Sequence, residues 1–245
     1  MESIGERHIL YYFPYTDAPV PFGGLNPVTI LNTLFVMIVL WALMWLATRR
    51  LALTPGRAQA AFEFLAGGLD ELVHSALELE TPAQNRRFFP LVAALFIFLA
   101  LANVLSFLPG PWFEEPTADY NTTLALGLMG MSIAVTCGVM AKGFWGYFQE
   151  LLGPMWQQAG IAPKLSALFF FPLNVIGELS KVLSISFRLF GNMIGSAVIL
   201  LVVSHLVFYL VLPIGLILFF VFFIGIIQAF VFTMLTLTYI AVAMK

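Results

Sequence analysis

Between Leu165 and Ala243 the chain carries only three charged side chains, Glu178, Lys181 and Arg188, in an otherwise apolar run. In a hydrocarbon layer no water is available to backbone N–H and C=O groups, so only helices and closed barrels can span it. Barrel strands alternate polar and apolar residues; this run does not alternate, and helices are expected. The whole chain agrees: 61% of its residues are hydrophobic and 10% charged, with a mean hydropathy of +0.96, against about 25% charged in a soluble domain. The reading is an all-α integral membrane protein forming a single membrane domain over residues 1–245. A net charge of −2 without a basic cluster gives no sign of nucleic-acid binding. The single cysteine, Cys137, leaves no intrachain disulfide and no cysteine-based metal cluster, and reads as packing.

Five spanning segments are expected, at about 28–48, 89–109, 121–141, 165–202 and 206–243. The first follows a polar lead containing Glu2, Glu6, Arg7 and Asp17, which suits a true span better than a signal peptide. Basic residues fix the predicted orientation. Arg49, Arg50, Arg57, Arg86 and Arg87 fall between the first two spans, Lys142 and Lys164 between the third and fourth, and Lys245 at the end. The connection between the second and third carries Glu114, Glu115 and Asp119 and no Lys or Arg. The positive-inside rule puts the N-terminus outside and the C-terminus in the cytoplasm. Lys164 and Lys245 then share a side, so two spans separate them, joined near His205–Gly215. Each is about 35 residues, roughly 50 Å at 1.5 Å per residue, against a hydrocarbon core of about 30 Å, so a strongly tilted hairpin is expected. The alternative leaves part of 165–175 in the interface, with Pro172 as a break.

Residues 58–82 place Phe62, Leu65, Leu69, Leu72, Val73 and Leu77 at helical spacing, with Glu63, Asp70, Glu71, Glu78 and Glu80 opposite. This is an acidic amphipathic helix on the cytoplasmic side, either at the interface touching a partner or a solvated linker. His74, within it, reads as surface. No inverted repeat points to a secondary transporter.

A cation at membrane depth costs roughly 2.5–3.5 kcal/mol on insertion scales, so Arg188 marks a functional site by default. At about 100° per residue, Lys181, Ser184, Arg188, Asn192 and Gly195 share one stripe. It is polar or small throughout, suited to close approach by another helix carrying a polar group. The expected mate of a buried guanidinium is a carboxylate. Glu178 is the only acid in the last two spans. It lies about 15 Å away along the helix and roughly 80° round, so it cannot be the direct mate. The mate is therefore expected on another polypeptide, or else Arg188 is a structural cap. Gln228 is the one amide in an apolar run of the last span and could bond across to the stripe. Thr233, Thr236 and Thr238 are expected to bond their own i−4 carbonyls.

The string Ser184-Ile185-Ser186-Phe187-Arg188-Leu189-Phe190-Gly191-Asn192-Met193 resembles the signature of the a subunit of rotary F-type ATP synthases. Asn103–Pro109 resembles the end of the family's second helix, Thr117–Leu124 the segment preceding its third, and Gln228–Phe232 its final helix. The resemblance implies a stator ion channel whose long helices wrap a c-subunit ring. Arg188 would face the ring's buried carboxylates and separate two half-channels, with Asn192, Gln228, Glu178, Lys181 and Ser184 around the path. Asn103, Ser106, Asp119, Asn121 and Asn174 would line the half-channels. Implied partners are the c-ring, the b subunits of the peripheral stalk, the F1 sector indirectly, and lipid. The chain has no Gly-rich phosphate loop and no catalytic triad pattern. It is expected to bind no nucleotide, to need no cofactor or metal and to catalyse nothing by itself.

The chain departs from the family pattern where relay groups are usual. Ala197 stands for a carboxylate nine residues after the arginine, Val221 for a His or acid seven before the glutamine, and Ser106 and Asn174 for acids. Glu178 is then the candidate relay, and either H⁺ or Na⁺ can be the coupling ion. A stand-alone channel would need its own gate and a second charged partner. A lipid-modifying enzyme would need clustered His, Asp or Glu, whereas His8, His74 and His205 are far apart in sequence.

Overall fold

The computed structural model describes residues 26–49, 56–77, 82–105, 115–153, 161–206 and 211–244. Among them there is no strand. The helices are α1 (Pro27–Arg49), α2 (Arg57–Leu77), α3 (Pro82–Val104), α4 (Tyr120–Leu152), α5 (Ile161–Leu206), α6 (Val211–Leu218) and α7 (Gly225–Met244). A 3₁₀ turn, Pro116–Ala118, precedes α4, and a π-helical turn, Phe219–Ile224, joins α6 to α7. Among the described residues, five stretches are long and apolar enough to cross a membrane: Pro27–Arg49, Arg87–Val104, Tyr120–Leu152, Phe169–Leu206 and Ile214–Met244. The protein is an all-helical membrane protein with five spans, as its hydropathy predicts.

Helix starts follow local chemistry. Asn26 accepts a bond from Val28 N–H through Oδ1 at 3.0 Å, with Pro27 at the first helical position of α1. Asp119, in extended conformation, accepts from Asn121 N–H at 3.0 Å and caps α4. α5 runs through Pro172 without leaving the helix, so the interfacial break there is not adopted.

The third span differs most from expectation. Lys142 reads in sequence as its end, yet helix resumes after Gly143 and continues to Leu152. Gly143 sits at φ 76°, ψ 161°, a conformation glycine tolerates and L-residues avoid. Lys142 ion-pairs with Glu150 across the break. Tyr147 reaches back to within 2.9 Å of where a Cβ on Gly138 would lie, so the segment folds back onto its own helix. Phe148 packs at 6.0 Å against Phe171 of α5.

α4 packs on α5 and α7, α3 on α7 and α2, and α1 on α3. Leu95, Leu99, Ile185, Leu189, Ala229 and Phe232 form the central cluster. A second cluster joins Val73 and Leu77 of α2 to Val92, Ala134, Leu237 and Ile240. The C-terminal half of α2 is therefore part of the core rather than a solvated linker, while Phe64 near its start is 86% exposed. His74 is exposed. The helices α1, α5 and α6 present Leu, Ile, Phe and Trp side chains outward, as expected where lipid or another subunit supplies the solvent.

Candidate functional site

α5 has two faces. Val182, Ile185, Ser186, Leu189 and Met193 are buried against the bundle. Ser184, Arg188 and Asn192 are exposed on the other side among Leu183, Phe187 and Ile194. Arg188 makes no ion pair and no hydrogen bond among the described residues. The guanidinium thus stands on an open apolar face, with only one turn of helix between it and Asn192. Asn192 Nδ2 donates to Gln228 Oε1 at 2.7 Å, and Gln228 is 4% exposed on α7. This bond ties the arginine stripe to the last helix. Gly195 is half-buried.

Toward the start of α5 the stripe turns inward. Lys181 Nζ meets Glu178 Oε1 one turn earlier and lies 5.5 Å from the ring centroid of Tyr239. Glu178 is thus matched with Lys181, not Arg188, in keeping with its distance along the helix. Both border a cavity of ≈420 Å³ at the C-terminal end of α4, with Asn174 of α5, Tyr147 and Glu150 of the folded-back segment, and Tyr239 of α7. Asn174 Nδ2 donates to Leu151 O at 2.9 Å and fastens that segment to α5.

At the opposite end of α4, a cavity of ≈380 Å³ lies between α1 and α4. Asn26, Thr29, Thr33, Asp119 and Asn121 line it. Its level on α5 is set by Tyr120, whose ring centroid is 5.2 Å from Phe187 and 5.5 Å from Phe190. Asn103 is 1% exposed; its Nδ2 donates to Gly225 O at 2.8 Å, and its Oδ1 accepts from Thr117 Oγ1 at 3.2 Å. Ser106 lies outside the described residues.

Between the two ends the helices touch closely. A Cβ on Gly127 would fall 2.5 Å from Ser186 Oγ, and one on Gly130 3.2 Å from Thr236. α4 can approach α5 and α7 this closely because it has no side chain at either position. Thr233, Thr236 and Thr238 do bond their i−4 carbonyls, at 2.8, 3.0 and 2.8 Å. Among the described residues, no group of three or more His, Cys, Asp or Glu side chains could hold a metal ion.

Sequence reasoning missed Tyr147 and Glu150, and gave Tyr239 and Thr117 no role of their own. The usable signal for the first two was Gly143, a turn former between Lys142 and an acid eight residues on. Tyr239 and Thr117 carry no local signal, since only packing brings them to the cavity and to Asn103.

The sequence model of the family described as ATP synthase A chain matches residues 30–241. The chain is 38% identical over 228 residues to ATP synthase subunit a of Moorella thermoacetica, covering 91% of this chain and 95% of that one. It is 34% identical to the sodium-ion-specific ATP synthase subunit a of Propionigenium modestum, covering 95% and 83%. It is 36% identical to ATP synthase subunit a 1 of Syntrophotalea carbinolica, covering 91% and 88%. A match of this extent, over a five-span bundle that carries the arginine signature on its fourth span, means that the chain belongs to the ATP synthase A chain family.

Proposed function

We propose that this protein is the stator channel of a rotary ATP synthase, passing protons to and from carboxylates carried by a c-subunit ring. The observation that carries the reading is Arg188, exposed on an apolar face with no partner among the described residues. A guanidinium there is stabilised when a neighbouring apolar surface brings a carboxylate to it. It would hold each arriving carboxylate ionised, which fixes where on the ring an ion must have left. α5, with 46 residues, is roughly 69 Å long if straight, so it lies obliquely along the ring rather than straight across the membrane.

The cavity of Glu178, Lys181, Asn174 and Glu150 serves as the cytoplasmic half-channel. The region of Asp119, Asn121 and the Asn192–Gln228 pair serves the outer one. The tight contacts at Gly127 and Gly130 keep the two apart inside the bundle, so an ion crosses only by boarding the ring at Arg188. Ion flow down the transmembrane potential supplies about 2.3 kcal/mol per charge per 100 mV. The b subunits of the peripheral stalk hold the chain still, and nucleotide chemistry belongs to the F1 sector. The protein sits in a bacterial plasma membrane with its C-terminus in the cytoplasm.

Na⁺ as the coupling ion is the second reading. It rests on the 34% identity to a sodium-ion-specific relative and on Ala197, Val221 and Asn174 at positions where the family often has protonatable groups. The test is ATP-driven ion uptake by the purified complex in liposomes, with Na⁺ varied at fixed pH. Luminal acidification without any Na⁺ requirement supports the proton reading. Na⁺ uptake that protonophores do not suppress supports the second. A purified chain that conducts ions as a monomer overturns both in favour of a stand-alone channel.

A further inference from the structure

The last span is not a uniform α-helix. Between Phe219 and Ile224 it makes a π turn, and Gly225 N–H donates to Phe220 O five residues back. Such a turn holds one residue more than an α turn, so everything after it is rotated by about 100° relative to an uninterrupted helix. Gln228 lies three residues beyond. Its meeting with Asn192 depends on that rotation, and the rotation must be held in place, because π turns are rare and regular α geometry is the stable default.

The holding contact comes from α3. Asn103 Nδ2 donates to Gly225 O at 2.8 Å, at the exit of the π turn. Thr117 Oγ1 donates to Asn103 Oδ1 at 3.2 Å, which fixes which end of the amide faces Gly225. Both side chains are buried, Asn103 at 1% and Thr117 at 0% exposure. A Cβ at position 225 would lie 3.0 Å from Asn103 Cβ, so the glycine lets α3 sit a few tenths of an ångström closer to the turn than a larger residue would. An amide this enclosed, with both ends engaged by protein, is poorly placed to line a wet path.

Resting on the stator reading above, we infer that Asn103 is a positioning residue. It braces the π turn at Gly225 and so aims Gln228 at Asn192, beside Arg188. It acts on the ion path through Gln228 without touching the ion. Loss of the brace lets the last helix relax toward regular α register and turns Gln228 away from the arginine stripe.

The test uses the whole synthase, purified and in liposomes, with Asn103→Leu and, as a milder perturbation, Thr117→Val. The first readout is geometric. In a Cys137→Ser background, Asn192→Cys and Gln228→Cys are joined by a short bifunctional thiol reagent, and the yield is compared with and without each brace variant. A fall of fivefold or more for Asn103→Leu, with a smaller fall for Thr117→Val, is expected. The second readout, with residues 192 and 228 intact, is the dependence of ATP-driven uptake on ion concentration. Its midpoint should shift threefold or more in assembled Asn103→Leu complexes. If either variant assembles and leaves both cross-linking and the midpoint unchanged, the brace is wrong. If Asn103→Leu does not assemble, Thr117→Val decides alone by the same two readouts. A complex that does not couple ATP hydrolysis to ion uptake with its native residues would overturn the stator reading, while the cross-link would still judge the brace.

Discussion

Gly127→Ala tests whether the depth of Arg188 is set by the closeness of α4 to α5. The new Cβ would lie 2.5 Å from Ser186 Oγ, 3.3 Å from Val182 O and 3.4 Å from Val182 Cγ1. Ordinary contact begins near 3.4 Å, so the hydroxyl must retreat by about 0.9 Å (from 2.5 to 3.4 Å). Rotating it away breaks its bond to Val182 O, 2.9 Å long in a buried site, at a net cost of about 1 kcal/mol. Otherwise α5 moves bodily, and overpacking of this kind costs roughly 1–3 kcal/mol. Arg188 is two residues from Ser186, so a shift of α5 carries the guanidinium with it. Misplacement of a reacting group by about 1 Å can cost 10²-fold, so ATP-driven uptake should fall at least tenfold per assembled complex. Ser186→Ala removes the closest clash, and the Gly127→Ala/Ser186→Ala double variant should recover a large part of the loss. Uptake and assembled complex are measured together in inverted vesicles. Normal uptake in the single variant, or no recovery in an assembled double variant, would refute the account.

Arg188→Ala should abolish coupled uptake while leaving assembly near normal, because the side chain bonds nothing among the described residues; continued ATP synthesis at the normal rate would remove it from the mechanism. Glu178→Gln leaves Lys181 without its carboxylate and should slow transport several-fold, and unchanged flux would make the pair structural. Gly143→Ala forces an L-residue into φ 76°, ψ 161°, an essentially glycine-only region, at roughly 1–3 kcal/mol. It should lower the thermal stability of the detergent-solubilised complex, and an unchanged melting curve would mean that the break is free to reform elsewhere.

Much of this architecture is legible in the chain because lipid imposes it. Apolar length gives the five spans, and helical spacing puts Ser184, Arg188 and Asn192 on one open face. The same spacing predicts that Glu178 cannot reach Arg188, and the acid is found on Lys181. What periodicity cannot show is a change of period. The π turn at 219–224 lies in an unbroken run of Phe, Val and Ile, where no residue type announces an extra residue in the turn. Lys142 resembles a span end because charge usually marks one, but its charge is matched by Glu150 after the break. Asn103 and Asn121 look alike as amides in sequence; one is enclosed and doubly bonded, the other exposed at a helix start.

The uncovered arginine bears on how the protein is made as well as how it works. A newly inserted copy with Arg188 toward lipid carries a penalty of roughly 2.5–3.5 kcal/mol that a solitary chain has no described side chain to relieve. Docking against a carboxylate-bearing neighbour removes that penalty, so the unassembled arginine copy is the strained one, while the apolar faces that meet the neighbour still drive assembly in its absence. Orphan copies are predicted to turn over faster than assembled ones, and Arg188→Leu orphans to persist longer; equal half-lives in a pulse-chase without the ring subunit would show that biogenesis does not sense this charge.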